Sequence, residues 1–493
     1  MRVRRLLAGV TVAAGLALAF PAGVGAALFE VNSLKDGVDA NVADEACATA
    51  AGNCTLRAAI DEANDEPGDD DIKLPKGTIE LRRPAGPASD TDNAEGNLNV
   101  AEAVEIDGRG PGKTVITQTV GDGVLDNEAG ILSLSAFGLR LNDLTLAGGR
   151  IGGAGEDGGG GLDNAQVALL DNVVVRDNVA RSDEFDDVGG AGIYSEGLLG
   201  LSDSAVRDNV ARGIGSSHPS GAGIVIHDGD LSLQNDSAVV RNSIKFRDRL
   251  PGAIAQGGGL IIRNPGAEVD DSVFITDSTI ADNSALGGPL ADSGGIKAGP
   301  GVNLEIQRST IARNRSRQAG GMQLVGVAST TIDNSTLSGN SDAGRGGAAI
   351  FFQSGTGTIN ITQTTIAGNR SSDGRFPVEP GEQASDSSLR FTSSIISNPG
   401  PECGGADADA FDAYATSGYN VWGNQCGPFN DLVASPKLKP LGDYGGPTAT
   451  HALKPSSPAI DLVTGCSPGI DQRGISRPQG ADCDAGSFER DGG

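Results

Sequence analysis

The sequence predicts an all-β chain wound into a right-handed parallel β-helix, a three-sided solenoid of about ten coils with a helical cap at its head and a small disulfide-bonded cap at its tail. Three observations predict it. A strand–turn–strand unit ending in Asn recurs along the middle of the chain, glycine is in large excess, and no helix-period segments separate the repeats. Glycine supplies 75 of 493 residues while aromatics make up only 4%. Ordinary chains hold about 7% glycine, so this one turns often and packs small and aliphatic side chains.

The clearest copies of the unit are ITDSTIADN (275–283), IQRSTIARN (306–314), IDNSTLSGN (332–340) and ITQTTIAGN (361–369). Counting back from the terminal Asn, an aliphatic residue stands three positions before it: Val175, Val206, Val239, Ile280, Ile311, Leu337, Ile366 and Ile395. A small residue stands five before, at Ser204, Ser237, Ser278, Ser309, Ser335, Thr364 and Ser393, with Val173 as the exception. Another aliphatic stands eight before, at Leu170, Leu201, Ile275, Ile306, Ile332 and Ile361. Offsets of three, five and eight suit strand alternation broken by one bend better than any helical face.

The asparagines Asn178, Asn209, Asn242, Asn283, Asn314, Asn340, Asn369 and Asn398 follow one another at 31, 33, 41, 31, 26, 29 and 29 residues. A fixed core with variable spacing means loops of different length on one frame. Each unit is long enough for three short strands and their turns, one circuit of a solenoid. Stacked about 4.8 Å apart along the axis, the amides of Asn283, Asn314, Asn340 and Asn369 are expected to hydrogen-bond as a structural ladder. The earlier segments 72–81, 97–110, 115–118 and 139–149 fit the same frame more loosely.

The first residues read as an export signal: Arg2, Arg4 and Arg5 precede an apolar run from Leu6 to Phe20, then Pro21 and small residues to Ala27. The run falls short of the roughly 20 residues of a spanning helix, so a cleaved signal over 1–26 is expected, with no membrane span after its removal. The formal charge of −27 becomes −30 without those arginines. No basic block occurs, which argues against nucleic acid and anionic membranes as partners.

Six cysteines fall in three couples: Cys47 with Cys54, Cys403 with Cys426, and Cys466 with Cys483. Export favours oxidation, and the clustering favours pairing within each couple. With no CxxC pair and with His218, His227 and His451 scattered, zinc finds no ligand set.

A solenoid exposes strand edges at both ends and needs caps. CTLRAAIDEAN (54–64) places Leu56, Ala59, Ile60 and Ala63 on one helical face, stopped by Pro67 and Gly68. With the following 68–81, it resembles the CSLREA domain at the head of many secreted bacterial β-helix proteins, departing from the name motif at Thr55 and Ala58. Ala58 forfeits the reciprocal half of a capping box. The stretch 438–489, with SPAID (457–461), DQRG (471–474), Arg477-Pro478 and Cys483-Asp484, resembles the choice-of-anchor Q domain. The domain organisation expected is a signal over 1–26, a head cap and first coil over 27–95, the β-helix over 96–400, and the tail domain over 401–493. The resemblance implies an exported, cell-surface-associated β-helical protein and no particular activity.

Arg313, Arg315 and Arg317, near Arg345 and Arg370, could stand on adjacent coils as lyase bases, although Arg beside a turn Asn reads first as a solvated charge. GGAGED (152–157) and GGGGLD (158–163) start like calcium-binding nonapeptides, but their six-residue offset, and Gly158 and Asn164 at apolar positions, favour a glycine loop. No cofactor is expected, with calcium at these glycine-rich repeats as the alternative. Asp461, Asp471, Arg473, Arg477, Asp484 and Glu489 read as internal pairs of a cap with little core. Tyr414, Tyr419, Trp422 and Tyr444 leave Tyr194 as the single Tyr or Trp in the coils, so glycan stacking would belong to the tail, where cap core is the simpler reading. The function expected is a non-catalytic surface scaffold or adhesin-like rod with a carbohydrate or surface protein as partner. The alternative is a polysaccharide-active enzyme, a pectate-lyase-like lyase or a glycoside hydrolase, on the same fold.

Overall fold

Five-residue segments such as Asn303–Gln307 alternate half-buried and buried residues, and three-residue segments such as Thr310–Ala312 follow after one bend. β-branched residues at these positions suit a pleated surface with one face buried. The computed structural model describes residues 26–491 except 43, 66–67, 85–92, 121–122, 128–137, 153–157, 183–188, 250–251, 265–270, 288–289, 345, 354, 373, 375–376, 382–386, 401–413, 417, 425–430 and 468. The expected signal over 1–26 lies outside these residues but for Ala26.

The chain forms a right-handed parallel β-helix. A first sheet of ten strands runs from Leu98–Val100 to Val378–Pro380. A second, of thirteen, runs from Leu28–Glu30 to Tyr414–Thr416, and a third, also of thirteen, from Gly77–Leu81 to Leu432–Val433. Every strand in them pairs in parallel with the strand one circuit away, and ten circuits pass through all three sheets among the described residues. Ten coils at ~4.8 Å make a rod about 50 Å long.

The circuit also has a partial fourth side. After the Asn corner, Arg150–Gly152, Val179–Ser182, Val210–Gly215 and Ser243–Arg249 make a short sheet of their own. Beneath it Ala180, Ala191, Ala211, Ala222, Ala255, Ala285 and Ala291 pack with Ile244. Small side chains let this extra layer lie close to the coil.

Inside the solenoid, Val175, Val206, Val239, Ile280, Ile311, Leu337 and Ile366 are all fully buried and stack in register along the third sheet. The next member corrects the sequence reading: Ile366 pairs with Ile396, while Ile395 pairs with Thr365 and packs outward against the tail. Ser394, not Ser393, likewise supplies the small side chain of that coil, its Oγ accepting from Thr364 N–H at 3.1 Å. The reason is a contraction: Ile366 and Asn369 stand three apart, Ile396 and Asn398 only two. Ile311→Ala is expected to cost about 2–5 kcal/mol, the transfer and cavity terms of a fully enclosed site, read as a lower denaturant midpoint at unchanged slope.

The head helix Leu56–Asp65 lays Leu56, Ala59, Ile60 and Ala63 on the first coil, with Thr55 Oγ1 accepting from Ala58 N–H at 3.2 Å. Arg57 is the residue the sequence reading passed over. Fully buried, it pairs with Asp36 at 2.6 Å and donates to the carbonyls of Asn93, Glu95, Gly96 and Asn97, tying the helix to the loop below. Cys47–Cys54 and Cys466–Cys483 are bonded, while Cys403 and Cys426 lie outside the described residues.

The tail does more than close the last coil. Past Leu432–Val433 the chain turns back, and residues 448–489 lie on the outer face of the third sheet across four coils. Thr448 Oγ1 donates to Arg308 O, Ser338 Oγ meets His451 Nε2 at 2.8 Å, and Thr365 Oγ1 accepts from Ser487 N–H at 3.0 Å. Gly486 N–H reaches Ser393 O. Thr336 Oγ1 sits at the centre, within 2.6–3.0 Å of Gln472 Oε1, Thr450 Oγ1 and Ser487 Oγ.

Candidate functional site

At the corner after the third sheet, Asn283, Asn314, Asn340 and Asn369 stack on consecutive coils, all fully buried. The Nδ2 of Asn283 donates to Asn314 Oδ1 at 3.0 Å, that of Asn314 to Asn340 Oδ1 at 3.1 Å, and that of Asn340 to Asn369 Oδ1 at 2.9 Å. Each Nδ2 spends its second hydrogen on a carbonyl of the preceding coil: Val239, Ile280, Ile311 and Leu337 respectively. Each Oδ1 also takes the backbone N–H of the Asn before it, as Asn340 Oδ1 does from Asn314 N–H at 3.0 Å. The column continues through Asn178, Asn209 and Asn242 at one end and Asn398 at the other. With every donor and acceptor used within the wall, these amides offer nothing to a ligand.

The glycine pairs have a reason that turn chemistry did not suggest. A Cβ at Gly192, Gly223, Gly259 or Gly295 would stand 2.8–3.0 Å from the Asn amide of the same coil and 2.4–2.8 Å from a carbonyl. Here glycine is needed because the chain entering the first sheet lies directly on the ladder.

Of the arginines named as candidate bases, Arg313 is taken up by a neighbour. Arg313 makes a two-pronged pair with Asp282 at 2.7 and 2.9 Å, and that carboxylate holds its guanidinium above the usual arginine value. The same geometry joins Arg308 to Asp277 and Arg241 to Asp208. A base must release its proton near the working pH, and these pairs do the reverse. Arg315 and Arg370 stand in one column with Ser341 between them, both exposed. Arg317 follows in a half-buried turn, and Arg345 lies outside the described residues.

The tail set closes on itself. Arg477 and Glu489 meet at 2.9 Å with both side chains fully buried, and Arg477 also donates to Asp484 O, Gly486 O and Asn334 Oδ1. Arg473 pairs with Asp471 at 2.7 Å and lies over Phe488 at 3.7 Å. Asp461 N–H donates to Asp484, whose carboxyl burial pushes up to about 6. Trp422 is buried core, edge-on to Phe391 at 5.5 Å, and Tyr444 packs half-buried against Phe488. Tyr419 is exposed, bonded to Thr464, and the Tyr414 side chain lies outside what is described. Of the calcium-like repeats, 153–157 are outside the described residues. No group of three or more His, Cys, Asp or Glu among the described residues is arranged to hold a metal ion.

One constellation escaped the sequence reading. The outward-facing residue of the first sheet runs Asp126, Asp163, Tyr194 on successive coils, then turns apolar with Val225 and Ile261 packed beside the phenol ring. The Tyr194 hydroxyl lies 2.6 Å from His227 Nδ1 and donates toward Glu196 Oε1 at 3.1 Å. His227 pairs in register with Arg263, one coil on. Phenol, imidazole and carboxylate in mutual contact can pass a proton. The signal was the coil repeat: His227 stands 33 residues after Tyr194, and Arg263 another 36 on, so the three are neighbours only once the solenoid is wound.

Residues 220–378 match the family model described as the right handed beta helix region. No curated protein matches the chain significantly. Among solved structures, the A-module of the Azotobacter vinelandii mannuronan C-5 epimerase AlgE6 is similar at 16% identity, covering 81% of this chain and 100% of that one with a TM-score of 0.41. Pectate lyase Pel9A is similar at 13%, covering 94% and 96%, TM-score 0.40, and the AlgE4 A-module at 15%, covering 82% and 100%, TM-score 0.38. Likenesses this distant leave the chemistry of those enzymes with them.

Proposed function

We propose that the chain is an exported, cell-surface-associated rod that presents loops and side faces to a carbohydrate or surface protein without chemically altering it. The observation that carries this reading is the pairing of charge between neighbouring coils. Asp208 with Arg241, Asp277 with Arg308 and Asp282 with Arg313 stitch one coil to the next and leave those groups unavailable as acids or bases. The CSLREA-like head and choice-of-anchor-Q-like tail support export and surface attachment. No described helix is long and apolar enough to cross a membrane. The formal charge of −27 disfavours nucleic acid and polyuronates alike as partners.

A second reading, a polysaccharide-active enzyme, rests on one observation, the Tyr194–His227–Glu196 contact. The two separate in a single assay. The full chain is incubated with neutral and acidic polysaccharides, with and without calcium, and product ends and bound glycan are measured together. The rod reading expects binding or inertness with no new ends. Turnover reduced a hundredfold or more in Tyr194→Phe would establish the enzyme instead, the typical loss on removing a general acid or base.

A further inference from the structure

The head helix carries a carboxyl group in an unusual setting. Glu62, on Leu56–Asp65, is completely enclosed, and its oxygens meet no side-chain partner, only the nearby Glu45 backbone amide, which makes no well-formed hydrogen bond to them. The enclosed Arg57, Arg477 and Glu489, by contrast, each meet a counter-charge.

The groups around it make matters worse for a carboxylate. From the loop over the helix come Asp39 and Asp44, and from the helix itself Asp65. Asp39 is held facing the helix, donating its N–H to Asp61 at 2.9 Å and accepting from Asn41 and Ala48. Arg57, the cation of this helix, is committed to Asp36 and four carbonyls. On the coil beneath, Asp70 is itself an enclosed acid accepting from Ala27 N–H, and Lys73 is bound to Asp107. The Glu45 amide offsets only part of this field.

An ionised carboxylate without a partner in such a place is far more costly than a neutral acid. We propose that the head of the solenoid is a proton-dependent lid, closed when Glu62 carries its proton and loosened when it loses it. Burial first, then Asp39 and Asp44, push the Glu62 carboxyl up from 4.5 to about 7. The folded state therefore holds its proton more tightly than the open one. Lid stability is full below the open-state value and falls as pH rises from about 4.5 to about 7, then levels off. Opening exposes the apolar face of the helix and the first coil, the one end of the rod that the head covers.

The test is hydrogen exchange on peptides spanning 55–65 in the full chain, corrected for the intrinsic rate and run where exchange follows the opening equilibrium. From pH 5.5 to pH 8 the opening constant is expected to rise roughly 25-fold, from the two proton affinities above. Glu62→Gln should flatten that dependence. Should Glu62→Gln fail to fold, Asp44→Asn removes one repelling charge at an exposed position, lets the Glu62 carboxyl fall back towards its ordinary value, and should bring the levelling-off to lower pH with a smaller rise in the opening constant. A pH-independent opening constant in the unaltered chain, or an undiminished rise in Glu62→Gln, overturns the proposal. So does full protection at pH 8 on adding calcium, which would assign the enclosed carboxyl to a cation.

Discussion

Asn340→Leu is expected to lower the stability of the central coils by about 3 kcal/mol or more. The side chain makes four hydrogen bonds at once: Nδ2 to Ile311 O and Asn369 Oδ1, and Oδ1 from Asn314 N and Nδ2; its own backbone N–H makes a fifth, to Asn369 Oδ1. Leucine fills nearly the same volume but leaves the Asn314 backbone N–H and one hydrogen of its Nδ2 buried and unpaired, and takes one donor each from Ile311 O and Asn369 Oδ1. Each such group costs about 1–3 kcal/mol, and the sum is held down by relaxation at the corner. Because stacked coils are stabilised through their neighbours, the loss should appear as a separate, earlier transition around coils 311–369 in denaturant-dependent hydrogen exchange. Glycan binding by the folded protein should be unchanged. Loss of binding without loss of stability would make the column a ligand groove.

Arg477→Ala is expected to release the tail from the flank of the third sheet, at a cost of about 3–5 kcal/mol. The substitution strands the Glu489 carboxylate in a fully enclosed site and removes the donor shared by Asp484 O, Gly486 O and Asn334 Oδ1. Breaking one side of a buried pair is costly because the remaining charge is left without solvent or partner. Limited proteolysis should then cut within 448–489 at concentrations that spare the unaltered chain, while the Ile311 column keeps its protection. Arg477→Lys should rescue little, since a single ammonium cannot serve carbonyls and a carboxylate spread over so wide an arc. Equal protease resistance in Arg477→Ala would show that the polar network around Thr336 holds the tail by itself.

The solenoid was legible in the sequence because its determinants are local and periodic. Offsets of three, five and eight from each Asn mark which side chains point inward, and the stacked column from Val206 to Ile366 follows directly. The amphipathic head helix was visible for the same reason. Ile395 shows the limit of counting: a coil shortened by one residue moves Ile396 into the column, and only pairing with Ile366 reveals it.

By itself, then, the sequence determined the repeat, the identity of the buried columns and the head helix, since each follows from side-chain pattern within about thirty residues. Tertiary structure decided everything that depends on which residues meet across coils. It placed His227 against Tyr194, Arg313 against Asp282, the glycine pairs against the Asn amides and the tail against Thr336. It also enclosed Glu62 among carboxylates on a loop and helix whose contact no spacing announces. The physical reason is the variable loop length, from 26 to 41 residues between ladder positions, which preserves the inward columns but erases any fixed interval between the outward-facing groups that carry chemistry.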